Sequence, residues 1–156
     1  MIRVAFILGP SGAGKTEIVR GLLGFPRVQV IKDRWTVGDR FYAAGPYTGA
    51  TLDGPDTLPP APPLLRKMIG EIGVTMPPAM TALLDGYRFG LDAVEELRRR
   101  ATVTAVLLDA DADTVEARRI RRGSPPMGRA WCERQIRQAE NRAIAIGNVK
   151  RVDARR

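Results

Sequence analysis

One eight-residue motif constrains this chain more than any other feature of its sequence. Residues 9–16 read Gly-Pro-Ser-Gly-Ala-Gly-Lys-Thr and satisfy the pattern G-x-x-x-x-G-K-[ST] in full. The motif follows an apolar run, residues 2–8, which is typical of a buried parallel strand. It precedes apolar residues at helical spacing, among them Ile18, Val19 and Leu22. A glycine-rich turn between a strand and a helix surrounds an anion with backbone N–H groups, so the motif predicts a phosphate-binding loop, or P-loop.

The residue types within the motif predict what it binds. Lys15 is expected to reach the β- and γ-phosphates of a nucleoside triphosphate, and the Thr16 hydroxyl is expected to ligate Mg²⁺. We therefore predict that the chain binds ATP and magnesium. The residues predicted to bind the nucleotide are Gly9, Ser11, Gly12, Ala13, Gly14, Lys15 and Thr16.

The rest of the chain alternates between strand-like and helix-like segments. This alternation predicts an α/β fold in which a parallel sheet is covered by helices on both faces. We predict three layers with a five-stranded parallel sheet, formed by a single domain over residues 1–156 because no linker is visible. The predicted strands are residues 2–8, 28–31, 80–84, 102–108 and 148–152, and the predicted helices are a segment that begins at Lys15 and residues 64–72, 92–100, 113–122 and 129–146.

A long segment, residues 38–63, is rich in glycine and proline and is predicted to be a loop. Loops of this length are usually functional lids or binding segments, or else they are disordered. We favour a binding segment on the side of the phosphate acceptor. Within this segment, Asp53 or Asp56 could bind the nucleobase of the molecule that accepts the phosphate.

Carboxylates at the ends of apolar strands are the candidates for metal binding and proton transfer. Asp85 and Asp109 both end such strands and could hold magnesium. Asp85 is preferred because Gly86 keeps the backbone open near a ligand, whereas Asp109 could begin a helix-capping turn. A third carboxylate, Asp33, follows the strand predicted at residues 28–31, and ligands bind at the carboxyl ends of strands in such sheets. Asp33 is the predicted general base for an alcohol acceptor, with a plain turn carboxylate as the alternative.

Arginines supply the predicted contacts with the transferred and the accepted group. Arg118 and Arg122 are four residues apart, so on a helix they share one face and can clamp a transferring phosphoryl group. The alternative is a solvated basic helix, which fits Arg119 and Arg121 better than it fits that pair. Arg34, next to Asp33, could hold a phosphate of the acceptor.

Charge and rare residue types limit the remaining possibilities. The formal net charge is +8 and only four of the 25 cationic residues are lysines, which favours binding to polyanions such as nucleotides or DNA. A coding bias toward arginine and solvated helix faces would explain the same composition. One cysteine and no histidine exclude an intramolecular disulfide and a Cys/His zinc site. No apolar run is long enough to cross a membrane, so a cytoplasmic location is expected.

Three segments, taken in order, resemble the nucleoside-monophosphate-kinase group of P-loop proteins. Residues 84–88, Leu-Asp-Gly-Tyr-Arg, resemble that group's Asp-Gly-Phe-Pro-Arg segment without its proline. Residues 102–122 resemble its strand, turn and Arg-x-x-x-Arg helix at the entry to the lid, and residues 149–154 resemble its last strand. The resemblance implies that Arg88 binds the acceptor substrate. It also implies a lid, here about residues 118–128, which is too short for the long-lid adenylate kinases.

The middle of the chain is similar to a narrower group. Residues 44–47, Ala-Gly-Pro-Tyr, followed by residues 53–58, Asp-Gly-Pro-Asp-Thr-Leu, resemble a segment of bacteriophage P-loop kinases. Some members of that group phosphorylate 5-hydroxymethyluracil in DNA. This resemblance implies a kinase that modifies DNA, with the cytoplasm of the phage host as its location.

Three other functions stay open at this point. They are a kinase for nucleoside monophosphates or another small molecule, a nucleotide-dependent ATPase or switch, and a basic nucleic-acid binder with a degenerate nucleotide site.

Overall fold

The computed structural model describes residues 1–10, 12–49, 54–59 and 61–154, apart from the side chains of Asp56 and Thr57. Within these residues the chain forms one mixed sheet and five α-helices, which confirms the α/β class. The strands are β1 Ile2–Leu8, β2 Gln29–Ile31, β3 Trp35–Val37, β4 Phe41–Ala44, β5 Thr81–Asp85, β6 Ala101–Asp109 and β7 Val149–Asp153. The helices are α1 Lys15–Leu23, α2 Pro62–Glu71, α3 Leu91–Arg98, α4 Ala112–Arg121 and α5 Arg129–Ile146, with a 3₁₀ helix at Gly54–Thr57.

The sheet has the strand order β2-β3-β4-β5-β1-β6-β7. Strand β1 is central and pairs in parallel with β5 and β6, and parallel pairing continues outward to β4 and β7. Strands β2 and β3 add antiparallel pairs at one edge. The observed sheet is therefore mixed and seven-stranded, where the sequence predicted five parallel strands.

The predicted second strand lies in a different place from the one expected. Strand β2 is at the outer edge of the sheet and forms a tight hairpin with β3, in which Ile31 pairs with Trp35. Lys32 and Asp33 turn the chain there with left-handed φ angles of 53° and 57°. The parallel neighbour of β5 is instead β4, which lies inside the segment predicted to be a loop. Short strands among glycines and prolines carry too little periodicity to be recognised from sequence.

Alternating side chains of β1 pack into the two faces of the sheet, as the period of a strand requires. Val4, Phe6 and Leu8 join a core that includes buried residues of α2, α3 and α5. Ile7 faces the other way and packs with Val19 and other residues of α1. Each fully buried side chain of this size contributes roughly 1.5–3 kcal/mol of hydrophobic stabilisation. Helices therefore cover both faces and leave the carboxyl edge of the parallel strands open.

Helix α1 is flanked by two glycines, and both of these capping positions have a left-handed backbone conformation. Gly14 precedes the helix with φ 95°, and Gly24 ends it with φ 82° and donates its N–H to the Arg20 and Gly21 carbonyls. The helix therefore begins directly at Lys15. No helix among the described residues is long and apolar enough to span a bilayer.

Candidate functional site

A cavity of about 1110 Å³ opens at the carboxyl edge of the parallel strands. The chain reaches this edge after β1, where the glycine-rich loop begins, and again after β5, because parallel strands end on the same side. The cavity brings together the five predicted side chains Lys15, Thr16, Asp85, Arg118 and Arg122. It is hereafter called the central cavity.

The described residues of the glycine-rich loop form a turn that rests on helix α4. Gly12 has φ 92°, and the Ala13 N–H donates to the Pro10 carbonyl over 3.0 Å. A Cβ atom on Gly12 would lie 3.0 Å from both the Val115 carbonyl oxygen and the Arg119 side chain. Glycine is therefore required at this position by both conformation and space. The predicted phosphate contact Gly9 is buried at the base of the loop, and Ser11 lies outside the described residues.

The Lys15 side chain lies across the mouth of this loop. Its Nζ donates to the Gly9 carbonyl over 2.8 Å, so the ammonium returns to the point where the loop begins. The same Nζ lies 4.9 Å from the centroid of the Tyr87 ring, within the range of a cation–π contact. Both of these contacts help to hold the ammonium at the cavity.

Asp85 is held in a fixed turn at the end of β5. Its Oδ1 accepts the Tyr87 N–H at 2.7 Å and the Arg88 N–H at 3.3 Å. Gly86 donates its N–H to the Ile7 carbonyl, and its own carbonyl accepts the Arg142 Nε over 2.9 Å. Both turn bonds of the carboxylate use the same oxygen, which leaves Oδ2 suited to a metal or a proton.

The donors around the cavity fit magnesium. No cluster of three or more His, Cys, Asp or Glu side chains forms a complete metal site among the described residues. Mg²⁺ needs less from a protein, because it is usually bound through one or two side chains together with phosphates and water. The Thr16 hydroxyl and the Asp85 carboxylate are oxygen ligands of this kind on one cavity.

Asp109, the other carboxylate considered for magnesium, is used elsewhere. Its Oδ1 accepts from Arg151 Nη1 at 2.8 Å, and its backbone carbonyl accepts the Ala154 N–H. It joins β6 to β7 and is not among the residues that line the central cavity. The geometry favours Asp85 of the two.

The C-terminal part of helix α4, together with the residue that follows it, presents three arginines to the central cavity. Arg118, Arg121 and Arg122 line it, and Arg118 Nη1 also donates to the Ala13 carbonyl of the glycine-rich loop over 3.1 Å. The interpretation of Arg119 as a solvated residue was wrong. Its side chain is buried, and its guanidinium lies 4.5 Å from the Trp131 ring. The charge run therefore divides into arginines that face the cavity and one that packs in the protein.

The connection between α4 and α5 is short, and hydrogen bonds to the Glu116 carboxylate stabilise it. Its Oε1 accepts the Met127 and Gly128 N–H groups at 2.9 and 3.1 Å, and its Oε2 accepts from Cys132 Sγ at 3.3 Å. The hydrogen bond from Gly128 is the main reason that the pKa of Glu116 lies below its usual value. Burial, followed by this carboxylate, raises the pKa of Cys132. Arg119 adds a bond to the Pro125 carbonyl.

The other wall of the cavity comes from the segment that was predicted to be a loop. The Thr36 hydroxyl donates to the Gly45 carbonyl and accepts the Tyr47 N–H, both over 2.8 Å. Gly54 donates its N–H to the Pro46 carbonyl over 2.7 Å and approaches the Tyr47 ring so closely that a Cβ atom would clash. Tyr47 and Pro55 consequently line the central cavity.

Three predicted side chains do not line this cavity: those of Asp33, Arg34 and Arg88. Asp33 is exposed at the β2–β3 turn, at the outer edge of the sheet and away from β1. Arg34 forms a two-point ion pair with the Glu71 carboxylate, and Arg88 donates to the Leu58 carbonyl over 3.1 Å. Asp53 and the side chain of Asp56 lie outside the described residues.

Several residues in or beside the cavity were missed by sequence reasoning. Thr114, Ala117 and Asp153 line the side nearer β6 and β7, and Tyr87 contacts Lys15. Asp153 had a usable signal, because it ends a strand as Asp85 does. Tyr87 had only its position in the Asp-Gly-Tyr-Arg segment. Burial, followed by the nearby Asp85 charge, raises the pKa of Tyr87 to about 12, so its ring is uncharged at neutral pH.

No protein-family model matches the chain, and no curated protein matches it in sequence. The function is therefore interpreted from the geometry of the central cavity.

Proposed function

We propose that this protein is a P-loop kinase that transfers the γ-phosphate of ATP to a hydroxyl group. The observation that carries the proposal is the convergence of Lys15, Thr16, Asp85, Arg118 and Arg122 on one cavity. A glycine-rich loop followed by a helix N-terminus, a lysine, a hydroxyl, a strand-end carboxylate and paired arginines is the set of groups that phosphoryl transfer uses. As part of the same proposal, we assign the chain to the three-layer P-loop kinase fold.

The donor site is assigned to the glycine-rich loop. Its amides and the start of α1 bind the phosphates, and Lys15 binds the oxygens between the β- and γ-phosphates. Thr16 and Asp85 would hold Mg²⁺, which neutralises charge that develops on the phosphates. Arg118 and Arg122 stabilise the transferring group from the side of α4.

The cavity is lined by elements from both sides of β1, which supports a transferase with two reactants rather than a simple hydrolase. Thr114 and Ala117 belong to α4, which follows β6, and Asp153 ends β7. Tyr47 and Pro55 follow β4, on the other side of β1. We assign the nucleoside of the donor to the first side and the acceptor to the second.

The two arginines that the sequence predicted for the acceptor side give no support to a phosphate as the acceptor. A nucleoside monophosphate needs cationic side chains around its phosphate. Arg34 and Arg88 were the candidates, but Arg34 is engaged by Glu71 and Arg88 by a backbone carbonyl. The net charge of +8 is consistent with a polynucleotide that carries the alcohol. The hydroxymethyl group of 5-hydroxymethyluracil in DNA, which the phage-kinase resemblance implies, is the acceptor we propose.

Proton removal from the alcohol is assigned to Asp85 or to no residue at all. Asp33, the base that the sequence predicted, sits at the far hairpin turn. Asp85 lines the cavity itself. A loose transition state for phosphoryl transfer needs little help from a base, so magnesium binding can be the principal role of Asp85.

The test is a transfer assay with γ-labelled ATP. Duplex DNA containing 5-hydroxymethyluracil, the same duplex with thymine, and free nucleotides serve as acceptors, and Lys15→Ala serves as the inactive control. We expect label only in the hydroxymethylated duplex. Label confined to nucleoside monophosphates would replace the DNA acceptor by a nucleotide, and phosphate release with no labelled acceptor would identify an ATPase. Full activity of Lys15→Ala would refute the site.

A further inference from the structure

Two contacts of the Lys15 ammonium differ in kind, because one uses a hydrogen-bond donor and the other does not. The Gly9 carbonyl accepts from Nζ over 2.8 Å. The Tyr87 ring attracts the same charge from 4.9 Å through its π electrons and accepts no conventional hydrogen bond. The ring therefore fixes the direction of the ammonium without replacing a phosphate oxygen.

The backbone around Tyr87 is held by hydrogen bonds and packing, so the ring can orient the Lys15 ammonium. Its N–H is bonded to the Asp85 carboxylate at 2.7 Å, and the preceding Gly86 is fixed to β1 and to Arg142. A Cβ atom on Gly86 would lie 2.1 Å from the Leu8 side chain, so this turn is packed directly on the central strand. Tyr87 as a whole residue is 41% exposed. The backbone is thus rigid while the ring adds little to the core.

We infer that Tyr87 is a positioning residue that holds Lys15 ready for the triphosphate. The inference rests on the proposed function only in assigning Lys15 to the phosphates. A free lysine side chain loses about 2 kcal/mol of rotamer freedom when it becomes fixed. Because the ring and the Gly9 carbonyl restrict Lys15 beforehand, part of that cost falls on folding instead of on binding.

The predicted consequence is a modest loss of ATP affinity when the ring is removed. A cation–π contact at a partly exposed site is worth about two- to fivefold in an equilibrium constant. Tyr87→Leu should therefore bind Mg-ATP about two- to fivefold more weakly by calorimetry. Tyr87→Phe should bind like the unmodified protein, because the ring is retained. Leu91→Ala is the matched control, since Leu91 is 42% exposed and lies nearby in the chain.

A double-mutant cycle separates positioning from general damage to the site. In a Lys15→Met background, Tyr87→Leu should have no further effect on Mg-ATP affinity, because the partner of the ring is gone. Replacing Tyr87 by phenylalanines with one, two and three ring fluorines should weaken affinity stepwise, since fluorine withdraws electrons from the ring and changes its shape little. This series does not depend on whether the leucine variant folds.

Three results would overturn the inference. They are unchanged affinity in Tyr87→Leu, an equal loss in the Lys15→Met background, and affinity that is indifferent to ring fluorination. An equal loss in Tyr87→Phe would also reject it, because the hydroxyl and not the ring would then be the active group. Failure of the proposed function looks different: Lys15→Met itself would leave Mg-ATP affinity unchanged.

Discussion

Arg34 and Glu71 form a two-point ion pair that joins the β2–β3 hairpin to the end of helix α2. Arg34 Nε lies 2.8 Å from Glu71 Oε1, and Arg34 Nη2 lies 2.7 Å from Oε2. The Trp35 Nε1 also donates to Oε1 over 3.1 Å, and Lys32 Nζ lies 3.9 Å from Oε2. The Glu71 and Arg34 side chains are only 8% and 13% exposed. Arg34, which the sequence predicted to contact the acceptor, therefore contributes to the fold.

The first prediction is that Glu71→Gln destabilises the fold strongly. Removing one partner of a buried ion pair leaves the other charge uncompensated, so we expect the free energy of unfolding to fall by about 3 kcal/mol. Denaturant unfolding at neutral pH measures this change. Glu95→Gln is the control, because Glu95 pairs with Arg98 at the surface and its side chain is 66% exposed. Equal stability of the two variants would contradict the structural role.

The second prediction is the pH dependence of that stability. The hydrogen bonds from Arg34 hold the pKa of Glu71 below its usual value. A carboxylate with a lowered folded pKa stabilises the fold above its unfolded pKa of about 4.3, and this stabilisation is lost as pH falls through the folded pKa. The stability difference between the wild-type protein and Glu71→Gln should therefore shrink below about pH 4. Unfolding curves between neutral and acidic pH would show a constant difference if the carboxylate were not coupled.

The sequence predicted those elements whose signals are local. The apolar run of β1, the glycines around α1 and the acidic end of β5 each depend on neighbours in the chain, and all three were located. Strand β2 was also located, but its hairpin with β3 and the strand β4 were not, because such short strands are fixed by pairing with distant residues. Arg34 shows the same limit, since nothing near it in sequence indicates Glu71, 37 residues away.

Chain topology also explains which candidate site residues converged. Lys15, Asp85 and Arg118 follow a strand end or lie on a helix that begins near one, so topology brings them together. Arg119 and Arg121 are two residues apart on one helix, and the sequence could not tell which is buried. The Arg119 guanidinium contacts the ring of Trp131, which lies on a different helix, α5.

The third prediction separates the two strand-end carboxylates. Asp85→Asn retains an oxygen that can accept the Tyr87 N–H, so the fold should persist while the magnesium ligand is weakened. We expect the Mg²⁺ concentration for half-maximal activity to rise by at least about 10-fold, because even the loss of a second-shell partner costs about 10- to 100-fold in metal affinity. Asp109→Asn should leave it unchanged, because Asp109 is paired with Arg151 away from the cavity. Magnesium titrations of transfer activity would reverse this order if Asp109 were the ligand.

The fourth prediction concerns the arginines of α4. Replacement of a cation that faces the transferring group typically costs about 10²-fold in turnover. Arg118→Ala and Arg122→Ala should each show such a loss with the fold retained. Arg137→Ala, an exposed arginine of α5, is the control and should be near wild type. Equal activity of all three variants would assign the α4 arginines to surface charge.

The last prediction uses two glycines that lie close together in the chain and have opposite surroundings. Gly12→Ala would force a non-glycine residue to adopt φ near 92° and would place Cβ 3.0 Å from the Val115 carbonyl oxygen, so it should destabilise the protein by about 1–3 kcal/mol and abolish Mg-ATP binding. Gly21 lies on the exposed side of α1 with nothing within 4 Å of a Cβ atom, so Gly21→Ala should stabilise the protein by about 0.5–1 kcal/mol. Its ATP affinity should not change. Thermal unfolding and calorimetry measure both quantities, and normal Mg-ATP binding by Gly12→Ala would show that the loop does not hold the phosphates in the conformation described.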